Sequence, residues 1–350
     1  MYAPLKIGDY LIEKPIVQGG MGVGISLSNL AGNVSKCGGL GVLSAAQIGY
    51  LEEDYEKNPV EANLRAIGKH IKRAKEIACN KMVGINIMVA TRYYERYVKA
   101  AVEAGADIII SGAGLPVDLP EYVSGSKTCI APIVSSVKSA NVILKYWDRK
   151  YNRVPDLLVI EGPLAGGHLG FSREELDNID GMDFPQEIAG ILKVAQEYSK
   201  KYNKKIPVIM GGGIYEKADV DSTMALGVDG VQVASRFVTT RECDADERYK
   251  QAYINAKQED IIIVKSPVGM PGRAIKNKFI ENAGKTQEKI KKCYQCIKGC
   301  NCVDIPYCIT KALVNAAKGN VEDALLFCGA KSYKATKIET VEEVIAELMA

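Results

Sequence analysis

The chain is poor in histidine: His70 and His168 are the only two in 350 residues. Any proton transfer that depends on an imidazole near neutral pH therefore falls to one of these two positions. Long hydrophobic runs are also missing, and no apolar stretch is long enough for a membrane span. The first residues, Met1-Tyr2-Ala3-Pro4-Leu5-Lys6, lack the apolar centre of a secretory signal, so a cytoplasmic location is the expectation. An excess of either charge is missing as well. The formal net charge is +3, and no Lys/Arg cluster is interleaved with aromatics, which argues against a nucleic-acid surface. The nearest approach to a basic run, Lys289 to Lys292, reads as a solvated helix end.

Cysteine is the exception to this sparseness. There are ten, six of them after residue 290. With no secretion signal they are expected as thiols or ligands rather than disulfides.

Eight short apolar runs follow one another along the chain: Pro15–Gln18, Gly41–Ser44, Val83–Met88, Asp107–Ser111, Ile130–Ser135, Leu157–Glu161, Pro207–Met210 and Gly230–Ala234. They are rich in valine and isoleucine and nearly continuous in hydrophobicity, as strands buried on both faces are. Helical spacing fills the gaps, for example Ile188, Ile191, Leu192, Ala195 and Tyr198, or Tyr94, Tyr97, Val98, Ala101 and Val102. His70 falls in a further helical pattern, Ile67 to Ile77, and is expected at the surface. Eight β/α repeats predict an α/β fold, a (β/α)8 TIM barrel. A doubly wound sheet is the competing reading, from Gly20-Met21-Gly22-Val23-Gly24 after the first strand. It would need an acidic residue at the end of the second strand, where Val42-Leu43-Ser44-Ala45 stands. The barrel is placed at residues 1–240. Residues 241–350 are expected to form a helical lid or extension with a Cys-rich segment, 293–308. The part up to about residue 290 reads as helical and polar, followed by helices at Ala312–Ala317 and Val341–Met349.

In such a barrel the active site lies at the C-terminal ends of the strands, and the unusual local sequences fall there. Strand one runs into Gly19-Gly20-Met21-Gly22. Strand three carries the polar Asn86. Strand four ends in Ser111-Gly112-Ala113-Gly114, and strand six in Glu161 and Ala165-Gly166-Gly167-His168-Leu169-Gly170. Strand seven ends in Gly211-Gly212-Gly213, and strand eight in Gln232-Val233-Ala234-Ser235. Glycine lets backbone approach a flat ligand. Paired Gly-rich loops after strands seven and eight suit a phosphate. A phosphate on that side and a polar, glycine-lined rim suit flavin mononucleotide (FMN), with Asn86, Glu161 and Gln232 towards the ring or ribityl chain and His168 facing the substrate side.

Taken together, Pro15-Ile16-Val17-Gln18-Gly19-Gly20-Met21, Gly38-Gly39-Leu40-Gly41, Gly84-Ile85-Asn86, Ala165-Gly166-Gly167-His168-Leu169-Gly170, Gly211-Gly212-Gly213-Ile214 and Gly227-Val228-Asp229-Gly230-Val231-Gln232 resemble the nitronate monooxygenase (2-nitropropane dioxygenase) family. Flavin-dependent enoyl-acyl-carrier-protein reductases are its relatives. The resemblance covers about residues 10–280, including Gly272-Arg273-Ala274-Ile275-Lys276-Asn277. It implies an FMN-binding barrel. FMN would be held at Asn86, Gly166, Gly213 and Gln232 to Ser235, with His168 as catalytic residue; Gly20, Met21, Gly22, Glu161 and Gly212 are expected in the same cofactor site from their place on the strand-end rim. The family commonly has glutamine where Glu161 stands. A carboxylate beside flavin disfavours an anionic reduced ring unless it is protonated or paired.

The implied reaction is oxidation of an alkyl nitronate with O2 to a carbonyl compound and nitrite. The alternative is an NAD(P)H-dependent enoyl-thioester reductase. Both are small-molecule reactions, and a homodimer is compatible with either. The Cys-rich tail is a second departure from the family. Cys293, Cys296, Cys300, Cys302 and Cys308 match no standard zinc ribbon, so no metal is assigned from spacing, and zinc or an iron–sulfur cluster is left open.

Overall fold

A computed structural model describes residues 2–283, 285 and 290–350. Eight strands run parallel around a barrel: β1 (Ile16–Gln18), β2 (Gly41–Ser44), β3 (Val83–Asn86), β4 (Ile108–Ser111), β5 (Cys129–Val134), β6 (Leu158–Glu161), β7 (Val208–Gly211) and β8 (Gly230–Val233). Each pairs in parallel with the next from β2 to β8, and β8 pairs with β1. The expected (β/α)8 barrel is therefore present, with strand limits within two residues of the sequence expectation. The apolar runs read as strands because both faces are buried: all four residues of β4 are inaccessible.

The ring is joined most sparsely between β1 and β2, where one parallel bridge, Val17 to Leu40, links the edges. The buried Gln18 side chain completes the seam. Its Nε2 donates to Ser26 Oγ at 2.9 Å and Val42 O at 3.2 Å, and its Oε1 accepts from the Val42 amide at 3.1 Å. One carboxamide thus satisfies groups on both strands. An antiparallel hairpin, Leu5–Ile7 with Tyr10–Ile12, plugs the far end. Leu5, Ile7 and Ile12 pack with Val17, Val42, Ile108, Val159 and Ile209 inside the barrel.

The outer ring consists of α1 (Ser28–Lys36), α2 (Pro59–Ile77), α3 (Tyr94–Glu103), the single turn α4 (Leu119–Tyr122), α5 (Val137–Tyr151), α6 (Phe184–Lys201) and α7 (Lys217–Met224). After β8 only the short α8 (Ser235–Val238) follows, and then α9 (Glu247–Asn255). The expected helices near the end are α10 (Ile309–Ala317) and α11 (Val341–Leu348). Helix α11 returns to the barrel and packs against α1 and α7. Its Val341, Val344, Ile345 and Leu348 are fully buried with Ile16, Leu30, Val34, Val220 and Phe237. Each such side chain contributes about 2 kcal/mol of gross burial. Buried Arg236 ties the same region down through ion pairs to Glu339 and, at 2.8 Å, to Glu347.

Three expectations are corrected. The stretch after residue 241 is not uniformly helical: β9 (Ile261–Lys265) and β10 (Pro271–Ile275) form an antiparallel hairpin. Ile261-Ile262-Ile263-Val264 is a β-branched run that favours a strand whatever the polarity around it. His70 is half-buried, with Nδ1 3.2 Å from Ser28 Oγ, and burial holds its pKa below the ordinary value. The basic run is no helix end in its described part. Lys289 lies outside the described residues, and Lys291 and Lys292 are in irregular chain, with Lys292 Nζ 2.6 Å from Glu56. Among the described residues no helix is long and apolar enough to cross a membrane.

Candidate active site

The C-terminal strand ends open into one cavity. Its walls include Gly20, Met21, Gly22, Asn86, Glu161, Gly166, His168, Gly212, Gly213, Gln232, Ala234 and Ser235, twelve of the thirteen residues expected from sequence. Val233 is the exception. Successive strand residues face opposite ways, so with Gln232 turned into the cavity, Val233 packs outward with Ile16, Leu30 and Phe237. Only its backbone serves the site, accepting from the Gly19 amide at 2.9 Å.

His168 stands on a short segment, Gly167–His168, that adds a third antiparallel strand to the β9/β10 hairpin, opposite Gly272 and Arg273. The extension thereby fixes the imidazole. Nε2 lies 2.7 Å from Ser266 Oγ, in the turn between β9 and β10. The Phe327 ring meets the imidazole edge-on at 4.8 Å. Burial pushes the His168 pKa down to about 4, so the ring is neutral at pH 7. Nδ1 has no protein partner among the described residues.

Glu161 ends β6 beside Gly211 of β7. Burial pushes its pKa up to about 7, opposed by the Gly170 amide, which donates to Oε2 at 3.1 Å. Among the described residues it has no ion-pair partner. A carboxyl in this setting is largely protonated below neutrality and can donate a hydrogen bond. The side-chain amides of Asn86 and Gln232, half-buried in the same cavity, have no hydrogen bond to protein among the described residues. Each offers donors and an acceptor to whatever enters.

The loops after β6 and β7 are pressed together. Gly213 has φ +76°, and a Cβ there would come within 2.8 Å of Leu164 Cδ1. At Gly166 a Cβ would fall 2.6 Å from the Cys328 carbonyl carbon. The segment Phe327–Ser332 can close on the cavity only because that position is glycine. Ser235 Oγ accepts the Gly329 amide at 2.8 Å, and Lys331 pairs with Asp219 beside the cavity. Buried Arg273 on β10 donates to the Ala165 carbonyl and, at 2.9 Å, to the Pro163 carbonyl, holding the loop that carries His168.

Ser266, Phe327, Arg273 and Lys331 were not identified as site residues from sequence. They come from the extension, far along the chain from the strand ends they face. The available signal was the β-branched run before Ser266-Pro267-Val268-Gly269, which reads as strand and turn.

Comparison with known proteins agrees with this geometry. A family model described as nitronate monooxygenase matches residues 4–350, and so runs through the Cys-rich segment to the last residue. Proteins named "probable nitronate monooxygenase" from Staphylococcus aureus are 25% identical over 298 residues, covering 77% of each chain. One from Staphylococcus saprophyticus is 24% identical, covering 80% of each. Among solved structures, FabK from Thermotoga maritima superposes with a TM-score of 0.73 at 21% identity, covering 96% of this chain and 92% of that one. A nitroalkane oxidase from Streptomyces ansochromogenes gives 0.71 at 19% identity, covering 96% of both. At these identities the two structures bear on the fold.

Proposed function

The chain belongs to the nitronate monooxygenase family and is an oxidoreductase, and from that premise we propose that it binds FMN in the strand-end cavity and oxidises alkyl nitronates with O2 to carbonyl compounds and nitrite. One observation carries this reading. A single neutral imidazole, a half-buried carboxyl with no ion-pair partner among the described residues and two unpartnered side-chain amides face one glycine-lined cavity. The residues suit the cofactor. The Asn86 and Gln232 amides match a ring edge that both donates and accepts hydrogen bonds. The Gly212-Gly213 backbone, Ala234 and Ser235 suit a phosphoryl group, with Gly20, Met21, Gly22 and Gly166 giving close backbone approach. When bound, FMN supplies the redox chemistry.

The protein's own part is positioning and proton management. His168 is neutral at pH 7 and held through Nε2 by Ser266, so Nδ1 is left to bind the nitro group or to take the α-proton of a neutral nitroalkane. With FMN in this cavity Glu161 would lie near the ring, where a carboxylate would oppose negative charge on its reduced form. With its pKa near neutrality it can remain protonated there, which removes that conflict. Phe327 and the segment to Ser332 form part of the cavity wall.

Anaerobic mixing tests this reading. Bleaching of the flavin by an alkyl nitronate, with no rapid bleaching by NADH or NADPH, is the expected result. Rapid bleaching by a nicotinamide, followed by reoxidation with an enoyl thioester, would assign the same cavity to an enoyl-thioester reductase instead.

A further inference from the structure

The cavity has two unlike halves. One is lined by the loops after β7 and β8 and by the segment Phe327–Ser332. It holds Lys331, the only cationic side chain at pH 7 among the described lining residues, and that cation is already paired with Asp219. The other half is walled by the loops after β1, β2 and β3 and by the extension, and it is apolar: Val23, Ala46, Met88, Ile297, Ile309 and Leu313. In this ring of eight strands β3 stands four places from β7. The apolar half therefore lies across the barrel mouth from the glycine loops.

Barrel and extension meet closely there. Ile297 bridges to Thr91 in the loop after β3, the Arg92 amide donates to the Cys296 carbonyl at 3.2 Å, and the Lys298 amide donates to the Ala90 carbonyl at 2.9 Å. Ile309 and Leu313 are one turn apart on α10 and share a face. The end of α10 abuts the loop after β1: a Cβ on Gly24 would fall 2.7 Å from Ala317 Cβ. Ala46, Met88, Ile297 and Leu313 are only half-buried, so part of their apolar surface is left open. Polar groups in this half are engaged with protein. Tyr97 Oη accepts from Asn63 Nδ2 at 2.8 Å, and Gln47 Oε1 accepts from Tyr55 Oη at 2.7 Å. Thr91 and Thr310 add hydroxyls, and among the described residues no charged side chain lines this half.

Building on the nitronate reading, we propose that this half is an arm for the uncharged alkyl chain of the substrate, and that Ile297 and Leu313 of the extension set a preference for chains of several carbons. His168 and the free amides of Asn86 and Gln232 supply polar partners for the reacting end of the molecule. The glycine loops after β7 and β8 are suited to a phosphoryl group. The apolar arm is what remains for the rest of the substrate. An alkyl chain gains by leaving water for such a surface. A carboxylate at the end of the chain would lose its hydration with no cation to meet it. The irregular stretch that carries Cys296 and Ile297 thus has a place in the reaction as a wall of the substrate site.

The test is kcat/KM of the full-length, flavin-loaded protein for straight-chain nitronates from nitroethane to 1-nitrohexane. Expected is a rise of about fourfold per methylene. The nitronate of 3-nitropropanoate should be poorer by about tenfold or more than that of its uncharged isostere, 3-methyl-1-nitrobutane. Ile297→Trp, placed in irregular chain, should lower the hexyl-to-ethyl ratio by about tenfold, and Leu313→Phe takes its place if that variant fails to fold. A series flat with chain length, a carboxylate as good as its isostere, or an unchanged ratio in a folded variant would each overturn the arm. If no nitronate of any length is oxidised, the nitronate reading fails separately. Calorimetric titration with unreactive carboxamides, acetamide to hexanamide, then still reads the arm. Affinity that grows with chain length, and stops doing so in Ile297→Trp, supports it; affinity independent of length overturns it.

Discussion

His168 and Glu161 face the same cavity with pKa values moved in opposite directions by the same cause, burial. Replacing His168 by alanine removes the ring clasped by Ser266 and Phe327 but leaves the cavity's glycine loops and amides in place. Bound flavin should be retained while turnover falls by about 100-fold or more; stopped-flow reduction at constant flavin content measures this. The carboxyl and imidazole also leave a mark on stability. Glu161 is raised to about 7 in the folded chain, so between about pH 4.5 and 7 the folded state holds the extra proton, and this contribution is lost as pH rises. His168 is lowered to about 4, so the unfolded chain holds the extra proton between about pH 4 and 6.5, and this contribution is lost as pH falls. The two slopes oppose each other where they overlap. Glu161→Gln removes one of them, so the variant should gain stability with rising pH more steeply than the wild type between about pH 4.5 and 6.5. Urea unfolding at a series of pH values reads the difference, and parallel profiles would contradict the assignment.

At the scale of elements, the ring is completed from the far end of the chain. Helix α11 packs against α1 and α7, and the buried Arg236 that follows β8 binds Glu339 just ahead of α11. Arg236→Ala would leave buried Glu339 with only the exposed Lys337, at 3.3 Å, as its cation, a loss of more than about 1 kcal/mol. A urea-unfolding change under about 1 kcal/mol would show the pair to be a surface-like contact. The barrel strands were legible in the sequence because each is buried on both faces and carries one compact apolar run. Helix α11 was legible as a helix, but nothing in its own residues says that it returns to the barrel. The β9/β10 hairpin was missed because a polar surrounding masked Ile261-Ile262-Ile263-Val264. With it went Ser266 and Arg273, which act on residues about a hundred positions earlier. The sequence places Val233 beside Gln232 in the site, and strand alternation then leaves that role to its backbone alone.

Over the whole molecule, a barrel that carries glycine loops and polar strand ends is roofed by an extension that positions the histidine, packs a phenylalanine against it and closes over Gly166. Barrel and extension therefore build one site, and the family match spans both. The central claim is that this site holds FMN. Its most direct measurement is the visible spectrum of the purified protein, reconstituted with FMN and desalted, with the released chromophore identified by mass. The expected result is a flavin spectrum with about one FMN per chain. A protein that remains colourless after reconstitution, while folded by circular dichroism, would contradict it.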